Sequence, residues 1–162
     1  MRLVIMLYSF LFFACSSSGQ QNKNAMSEEN KTVKTDSEWK QVLTPAQYNI
    51  CRLKGTEAPG SGKYDKFYEK GYYRCVACGN RLFDSDAKYN SGSGWPSFFD
   101  VHNKENLRFT EDTSYGMIRT EVTCAKCGSH LGHMFNDGPR PTGLRYCINS
   151  LALEFIPDSV KE

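Results

Sequence analysis

The chain has 162 residues, enough for one domain with a hydrophobic core, and its 20 basic residues nearly balance its 18 acidic residues. A net charge of +2 gives no basic surface of the kind that nucleic-acid-binding proteins use, so a zinc ribbon that binds nucleic acid is excluded. The chemistry of the seven cysteines depends on the compartment in which the chain works.

The N-terminal segment predicts export. The apolar run from Leu3 to Phe13 suits the core of a signal peptide and is shorter than the about 20 residues that a membrane-spanning helix needs. The run ends in Ala14-Cys15 followed by serines, which resembles the lipobox of bacterial lipoproteins. We therefore expect residues 1–14 to be a lipoprotein signal peptide and Cys15 to be lipidated. The protein would be an exported, membrane-anchored bacterial lipoprotein facing the periplasm, with an ordinary signal peptide or an uncleaved anchor as the alternatives.

The composition of residues 15–36 predicts a disordered tether, because this polar segment has too little apolar surface to pack a core. The globular domain would then cover residues 37–162. Four residues beginning at Thr44 (Thr-Pro-Ala-Gln) form a capping box with proline at the first helical position. They predict a short helix from about Pro45 to Cys51, followed by a glycine-rich loop over residues 55–62.

Two Cys-x-x-Cys units share one pattern, in which a short strand leads into the cysteines and a glycine and a second short strand follow. Glycine after the second cysteine permits the turn that directs both sulfur atoms at one point. Two such units supply four thiolates, the ligand set of a closed structural zinc site, and two disulfides are the alternative in an exported protein. We expect one structural zinc ion per chain, bound by Cys75, Cys78, Cys124 and Cys127.

Two histidines, His130 and His133, follow the second Cys-x-x-Cys unit directly. Four thiolates would saturate a zinc ion, so the histidines are free for another role. On a regular strand their side chains would point to opposite faces, unless Gly132 bends the chain between them.

The last stretch that carries chemistry surrounds Cys147, which has no partner at metal-binding spacing. Arg145 lies two residues earlier, so on a strand it would share a face with Cys147 and stabilise a negative charge there. The thiolate is the nucleophilic form of cysteine. A small buried thiol packed beside Tyr146 and Ile148 explains this stretch alone equally well.

Six stretches of the chain have to be considered together. They are Gly-Thr-Glu from Gly55, Ser-Gly-Ser-Gly-Trp-Pro-Ser-Phe from Ser91, Arg-Thr-Glu-Val from Arg119, His-Leu-Gly-His from His130, Asp-Gly-Pro from Asp137, and Arg-Tyr-Cys-Ile-Asn-Ser from Arg145. In order and content they resemble the methionine-R-sulfoxide reductase B family, from about Leu43 to Pro157. The resemblance implies a mainly β fold, the β-tent of two antiparallel sheets with short N-terminal helices, with zinc at the end away from the catalytic site.

The resemblance also implies a peptide-methionine (R)-S-oxide reductase, which reduces methionine-R-sulfoxide in proteins and peptides. Cys147 would attack the sulfoxide sulfur and be left as a sulfenic acid. His130 and His133 would help to protonate the sulfoxide oxygen, which must be protonated to leave. The remaining site residues would be Trp95, against the ε-methyl group of the substrate, and Arg145 and Asn149, around the thiolate.

Many members of the family carry a resolving cysteine where this chain has Ser93. The unassigned thiol is Cys51, and some members use a cysteine from that region. We therefore expect Cys51 to resolve the sulfenic acid and a thioredoxin-like donor to reduce the resulting disulfide, with a half-buried structural cysteine as the alternative.

The protein is expected to be a monomer that acts on oxidised proteins or peptides. A non-catalytic, zinc-stabilised β-tent module that binds a ligand or protein is the alternative function. Such modules lack the reactive cysteine and its surrounding Arg-Tyr-Cys-Ile-Asn-Ser, which this chain has.

Overall fold

The computed structural model describes residues 31–159, so the signal-peptide prediction and Cys15 lie outside the described residues. Two α-helices come first within this range, α1 (Asp36–Val42) and α2 (Pro45–Leu53). The strands follow: β1 (Gly71–Cys75), β2 (Arg81–Asp84), β3 (Lys88–Tyr89), β4 (Ser97–Phe98), β5 (Leu107–Asp112), β6 (Arg119–Cys124), β7 (His130–Phe135), β8 (Arg145–Ile148) and β9 (Leu153–Pro157). Between residues 31 and 159, no helix has the length and apolar character needed to cross a membrane.

The strands form two antiparallel sheets. One has three strands in the order β2-β1-β9, and the other has six in the order β3-β4-β8-β7-β6-β5. Neighbouring strands pair in the antiparallel direction throughout both sheets. The prediction of a mainly β fold with two antiparallel sheets and short N-terminal helices is confirmed.

Aromatic side chains join the two sheets. Phe83 of the smaller sheet stacks on Phe98 of the larger one, with ring centroids 4.4 Å apart and an angle of 14° between the planes. Tyr73 packs edge-on against Phe98 at 5.1 Å. All three side chains are fully buried, and truncating one such ring to alanine costs about 3–5 kcal/mol. These buried rings therefore hold the two sheets in a fixed position relative to each other.

The helix α2 begins where the sequence predicts, because the Thr44 side chain and Gln47 cap it reciprocally and Pro45 opens it. It ends at Leu53, two residues beyond the predicted end. The helix α1 was not predicted: it begins at Asp36, the last residue assigned to the tether. The sequence signal for α1 is a capping box of its own, Thr-Asp-Ser-Glu from Thr35, which precedes the buried Trp39.

Candidate active site

The thiol of Cys147 lies on β8, where β8 is held between β4 and β7. Cys147 pairs with His133 of β7. Arg145 and Cys147 are half-buried on one face of β8, whereas Tyr146 and Ile148 are buried on the other. The alternation of a strand therefore brings the arginine and the cysteine to the same face, as the sequence predicts.

Cys147 opens into a cleft of about 130 Å³. The cleft is lined by Thr56, Trp95, Arg119, Gly132, His133, Phe135, Cys147 and Asn149. The structure thus brings four of the predicted site residues together at one surface. Apolar rings and polar groups share this lining, which suits a ligand that has both a methyl group and a polar oxygen.

Burial raises the pKa of the Cys147 thiol, whereas the Ser93 hydroxyl and the positive charge of Arg145 act in the opposite direction. Ser93 Oγ lies 3.8 Å from Cys147 Sγ. The guanidinium of Arg145 also donates two hydrogen bonds, each of 2.8 Å, to the carboxylate of Asp137, which raises the pKa of Arg145. Arg145 lies in a neighbouring polar groove, together with Ser93 and Asp137, and not in the lining of the cleft.

A bulge in β7 settles the orientation of the two histidines. His130 pairs with Thr123 of β6, but Gly132 pairs with the adjacent Val122, so β7 has one extra residue at this point. The extra residue reverses the alternation, and the rings of His130 and His133 meet edge-on with centroids 5.4 Å apart. Gly132 is required here because a Cβ atom would collide with the carbonyl oxygen of Cys147. The two histidines therefore form one cluster beside the thiol.

His133 is oriented by an acid that the sequence did not single out. Its Nε2 lies 2.7 Å from Oδ2 of Asp112, at the end of β5. Arg119 donates to the same carboxylate oxygen at 2.7 Å. Hydrogen bonds from Ser114 first, and then from His133, hold the pKa of Asp112 well below its ordinary value. The carboxylate is therefore ionised at neutral pH and favours a proton on Nε2 of His133.

His130 stands behind His133 and is almost fully buried. Its Nδ1 lies 2.7 Å from Oε1 of the buried Glu121, and Lys54 donates to the other carboxylate oxygen at 2.8 Å. Burial lowers the pKa of His130, although Glu121 opposes the shift. Burial raises the pKa of Glu121, but hydrogen bonds from Lys54 and His130 bring it below its ordinary value. Within residues 31–159, Nε2 of His130 has no hydrogen-bond partner.

Trp95 and Asn149 are fixed by hydrogen bonds to main-chain groups. The indole Nε1 of Trp95 donates to the carbonyl oxygen of Glu57 at 3.1 Å. Asn149 accepts from the main-chain N–H of Glu57 at 3.1 Å and donates to the carbonyl oxygen of Leu131 at 3.0 Å. Both side chains are therefore oriented before any ligand arrives.

Cys51 does not line the cleft. It is 2% exposed on α2, near Ser129 and Cys127, and burial raises its pKa to about 12. Ser129 is four positions before His133, the partner of Cys147. Cys51 and Cys147 therefore lie beside different residues of the segment that contains β7. A disulfide requires Cα atoms within about 7 Å, and a thiol buried on α2 outside the cleft is not presented to Cys147 in this conformation.

The four cysteines of the Cys-x-x-Cys units form a second cluster, in which all four Sγ atoms lie within 4.8 Å of one another. The cluster could hold a metal ion. Cys75 ends β1 and Cys78 lies in the turn that follows it, whereas Cys124 ends β6 and Cys127 lies in the turn before β7. The cluster therefore links the two sheets.

The sequence alone did not assign a role to several residues of the site. Thr56, Arg119 and Glu121 belong to the recognised motifs, but the motifs do not say what these three residues do. Phe135 and Asp112 had no local signal. Only the successive pairing of β5 with β6, β6 with β7 and β7 with β8 brings Phe135 to the cleft and Asp112 to His133.

Fold and site define a small, mainly β protein with a half-buried cysteine beside paired histidines, and with a separate cluster of four cysteines that could hold a metal ion. Residues 43–157 match the SelR domain family. The chain belongs to this family, the methionine-R-sulfoxide reductase B family, which confirms the relationship predicted from the motifs.

Curated relatives cover most of the chain. A protein of Pseudomonas syringae pv. syringae (strain B728a) named "Peptide methionine sulfoxide reductase MsrB" is 58% identical over 130 residues, 80% of this chain and 99% of the relative. A protein of the same name from Methanosarcina mazei is 58% identical over 78% of this chain and 91% of the relative. Another from Methanosarcina barkeri is 60% identical over 75% and 86%.

Proposed function

We propose that the protein reduces the R epimer of methionine sulfoxide in peptides and proteins, with Cys147 as the nucleophile. The observation that carries the proposal is the cleft, where Cys147 lies with Trp95, His133 and Asn149 in a chain of the methionine-R-sulfoxide reductase B family. The names of the relatives, which describe peptide methionine sulfoxide reductases, support the same activity.

In the reaction, the thiolate of Cys147 attacks the sulfoxide sulfur. The sulfur–sulfur bond formed by this attack and the sulfur–oxygen bond then both break as the oxygen passes to Cys147, which becomes a sulfenic acid, and the methionine thioether leaves. The sulfur of the substrate is reduced by two electrons and the sulfur of Cys147 is oxidised by two. One proton must reach the oxygen as its bond to the substrate breaks, so a general acid beside the cleft accelerates the step.

His133 is the proposed acid, because it lines the cleft and the contact of its Nε2 with Asp112 fixes the orientation of the ring. His130 is proposed to act behind it, with Glu121 fixing the hydrogen of the neutral ring on Nδ1. His130 then orients His133 through their ring contact.

The aromatic side of the cleft is the proposed seat of the substrate's ε-methyl group. Trp95 and Phe135 present apolar rings there, and Asn149 and Arg119 add polar groups to the same lining. A pocket with both apolar and polar groups at fixed positions distinguishes the methyl group from the oxygen. It thereby distinguishes the two sulfoxide epimers, which exchange these groups.

Regeneration needs a second thiol. We propose that Cys51 attacks the sulfenic acid, releasing water and forming a disulfide that a thioredoxin-like dithiol then reduces. Because Cys51 is buried on α2 and does not line the cleft of Cys147, this step requires the α2 segment to leave its place. Direct attack of the donor on Cys147 needs no such movement and is the competing route.

The four-cysteine cluster is proposed to hold zinc. A tetrahedral site with zinc–sulfur bonds of about 2.3 Å has sulfur–sulfur edges of about 3.8 Å. The Sγ atoms of Cys75 and Cys127 are 3.7 Å apart, and those of Cys78 and Cys124 are 3.6 Å apart. Zinc would fasten the turns of the two sheets together, and metal analysis should find about one zinc per chain.

Export as a lipoprotein remains part of the proposal, on the sequence of residues 1–15. Cys15 would carry the lipid, the tether predicted over residues 15–36 would end where α1 begins at Asp36, and the domain would work as a monomer. Labelled palmitate should enter the wild type and not Cys15→Ala; an unlabelled, soluble wild type would favour a plain signal peptide.

The decisive experiment assays both epimers of a peptide methionine sulfoxide with dithiothreitol as the reductant. We expect reduction of the R epimer alone, and none in Cys147→Ser. Binding of the sulfoxide peptide without reduction would favour a non-catalytic module, and activity retained in Cys147→Ser would show that the nucleophile is another residue.

A further inference from the structure

The carboxylate of Glu57 is buried, with 8% of the residue exposed. It belongs to the stretch between α2 and β1, where the chain has no regular helix or strand around it. Its two oxygens accept hydrogen bonds from consecutive main-chain groups, the N–H of Ser150 at 2.6 Å and the N–H of Leu151 at 3.1 Å. Bonds of this kind to an ionised acceptor are shorter and stronger than those between neutral groups.

The main chain of the same residue holds two side chains of the cleft. Its N–H donates to Asn149 at 3.1 Å, and its carbonyl oxygen accepts from the indole of Trp95 at 3.1 Å. The preceding residue, Thr56, is itself part of the cleft lining. Glu57 therefore connects three separate parts of the cleft although its own side chain points elsewhere, to Ser150.

The carboxylate fixes the main chain that these contacts depend on. Without the two bonds to residues 150 and 151, the loop that carries Glu57 loses its anchor to the segment after β8. A second tie remains, from the N–H of Gly60 to the carbonyl oxygen of Gly94 at 2.7 Å. The loop would therefore stay near the site, but the positions of its N–H and carbonyl groups would loosen, and displacements of about 1 Å are enough to slow an enzyme about a hundredfold.

We propose that Glu57 is a positioning residue for the sulfoxide reaction, which sets the ring of Trp95 and the amide of Asn149 through its main chain while its carboxylate locks the loop. This proposal rests on the proposed function. It assigns no contact between Glu57 and the substrate.

The test compares Glu57→Gln with the wild type, since the amide keeps the shape of the side chain but turns an NH₂ group toward one of the two N–H donors. We expect kcat/KM for a methionine-R-sulfoxide peptide to fall about 10- to 100-fold, chiefly through a higher KM, because the Trp95 contact is used in binding. Alkylation of Cys147 by iodoacetamide should change by less than about threefold, because the thiol itself is untouched.

Trp95 provides a readout that a merely structural role would not move. The chain has two tryptophans, so Trp39→Phe leaves Trp95 as the single tryptophan, which can be excited without the tyrosines. In that background Glu57→Gln should increase the quenching of Trp95 by acrylamide. Glu154→Gln is the matched control, because it weakens an acid bonded to Arg74 between β1 and β9. It should lower thermal stability without changing kcat/KM or quenching.

An unchanged kcat/KM in Glu57→Gln, or a loss with no change in the quenching of Trp95, would overturn the proposal. If the glutamine variant does not fold, Glu57→Asp takes its place, since it keeps the charge but cannot reach both N–H groups without pulling the loop. The quenching measurement needs no substrate. A wild type that fails to reduce the R epimer would therefore count against the proposed function and leave the effect of Glu57 on Trp95 separately measurable.

Discussion

The reactivity of Cys147 depends on opposing influences at single residues. Burial raises the pKa of its thiol, whereas the Ser93 hydroxyl and Arg145 lower it. Replacing Ser93 by alanine removes the hydroxyl and leaves the arginine. We expect the pKa of Cys147 to rise, because the thiolate loses a hydrogen bond that stabilises its charge. The rate of alkylation by iodoacetamide against pH, with the modified peptide identified by mass, measures the shift.

Ser37→Ala is the control for that measurement, because Ser37 is exposed on α1 and remote from the cleft. It should leave the alkylation profile of Cys147 unchanged. A profile that is equally unchanged in Ser93→Ala would mean that the 3.8 Å approach of the hydroxyl has no electrostatic effect on the thiol.

A second prediction at this scale concerns the acid. His133→Ala should lower kcat at least about a hundredfold, since it removes a general acid. The alkylation rate of Cys147 should stay within about threefold of the wild type. His102→Ala is a matched control, because His102 also lies beside an aspartate, Asp84, at 2.9 Å. Equal turnover in the two variants would exclude His133 as the acid.

At the scale of the strands, the site was only partly predictable from the sequence, because one strand is regular and another has a bulge. The alternation of β8 was enough to put Arg145 and Cys147 on one face, because a short regular strand follows its period of two. The same rule gave the wrong face for one of the two histidines. The bulge at Leu131 depends on which residue of β6 meets which residue of β7, and no single segment carries that information. The acids Asp112 and Glu121 were missed for the same reason.

The next prediction concerns α2, because Cys51 lies on this helix. If Cys51 resolves the sulfenic acid, one turnover without reductant should yield a Cys51–Cys147 disulfide in peptide maps. Cys51→Ser should keep its activity with dithiothreitol, which reduces a sulfenic acid directly, but lose most of it with thioredoxin. Because Lys54 ties the end of α2 to Glu121, disulfide formation should be slower than the chemical step. Equal thioredoxin-supported rates in the variant and the wild type would show that the donor attacks Cys147 itself.

For the whole molecule, the fold class was predicted through the resemblance of the six motifs to the methionine-R-sulfoxide reductase B family. The paired Cys-x-x-Cys units predicted one site made of four cysteines, and their four Sγ atoms do lie together. The start of the domain was less predictable. The helix α1 is short and mostly exposed, and its single buried residue, Trp39, gives no helical periodicity to detect.

Buried ionisable groups make the stability of the whole domain depend on pH. In the unfolded chain His130 takes up a proton near its ordinary pKa of about 6.5, whereas burial lowers that pKa in the fold. Below about pH 6.5 the unfolded chain therefore binds more protons, and stability falls as the pH drops, by at most about 1.4 kcal/mol per pH unit for one proton. The pKa of Glu121 is also lowered, so its contribution is lost in the same direction, below about pH 4.5.

Urea unfolding between pH 7.5 and 5.5 should therefore show a steeper loss of stability in the wild type than in His130→Gln, whose amide does not titrate. Ser37→Ala should follow the wild type, because the exposed Ser37 carries no titratable group. A zinc-sensitive dye in the same samples would identify any pH at which the cluster of cysteines begins to release metal, and only points above that pH enter the comparison. Equal slopes in all three proteins would mean that the fold does not keep His130 neutral, and the proposed neutral partner of His133 would have to be abandoned.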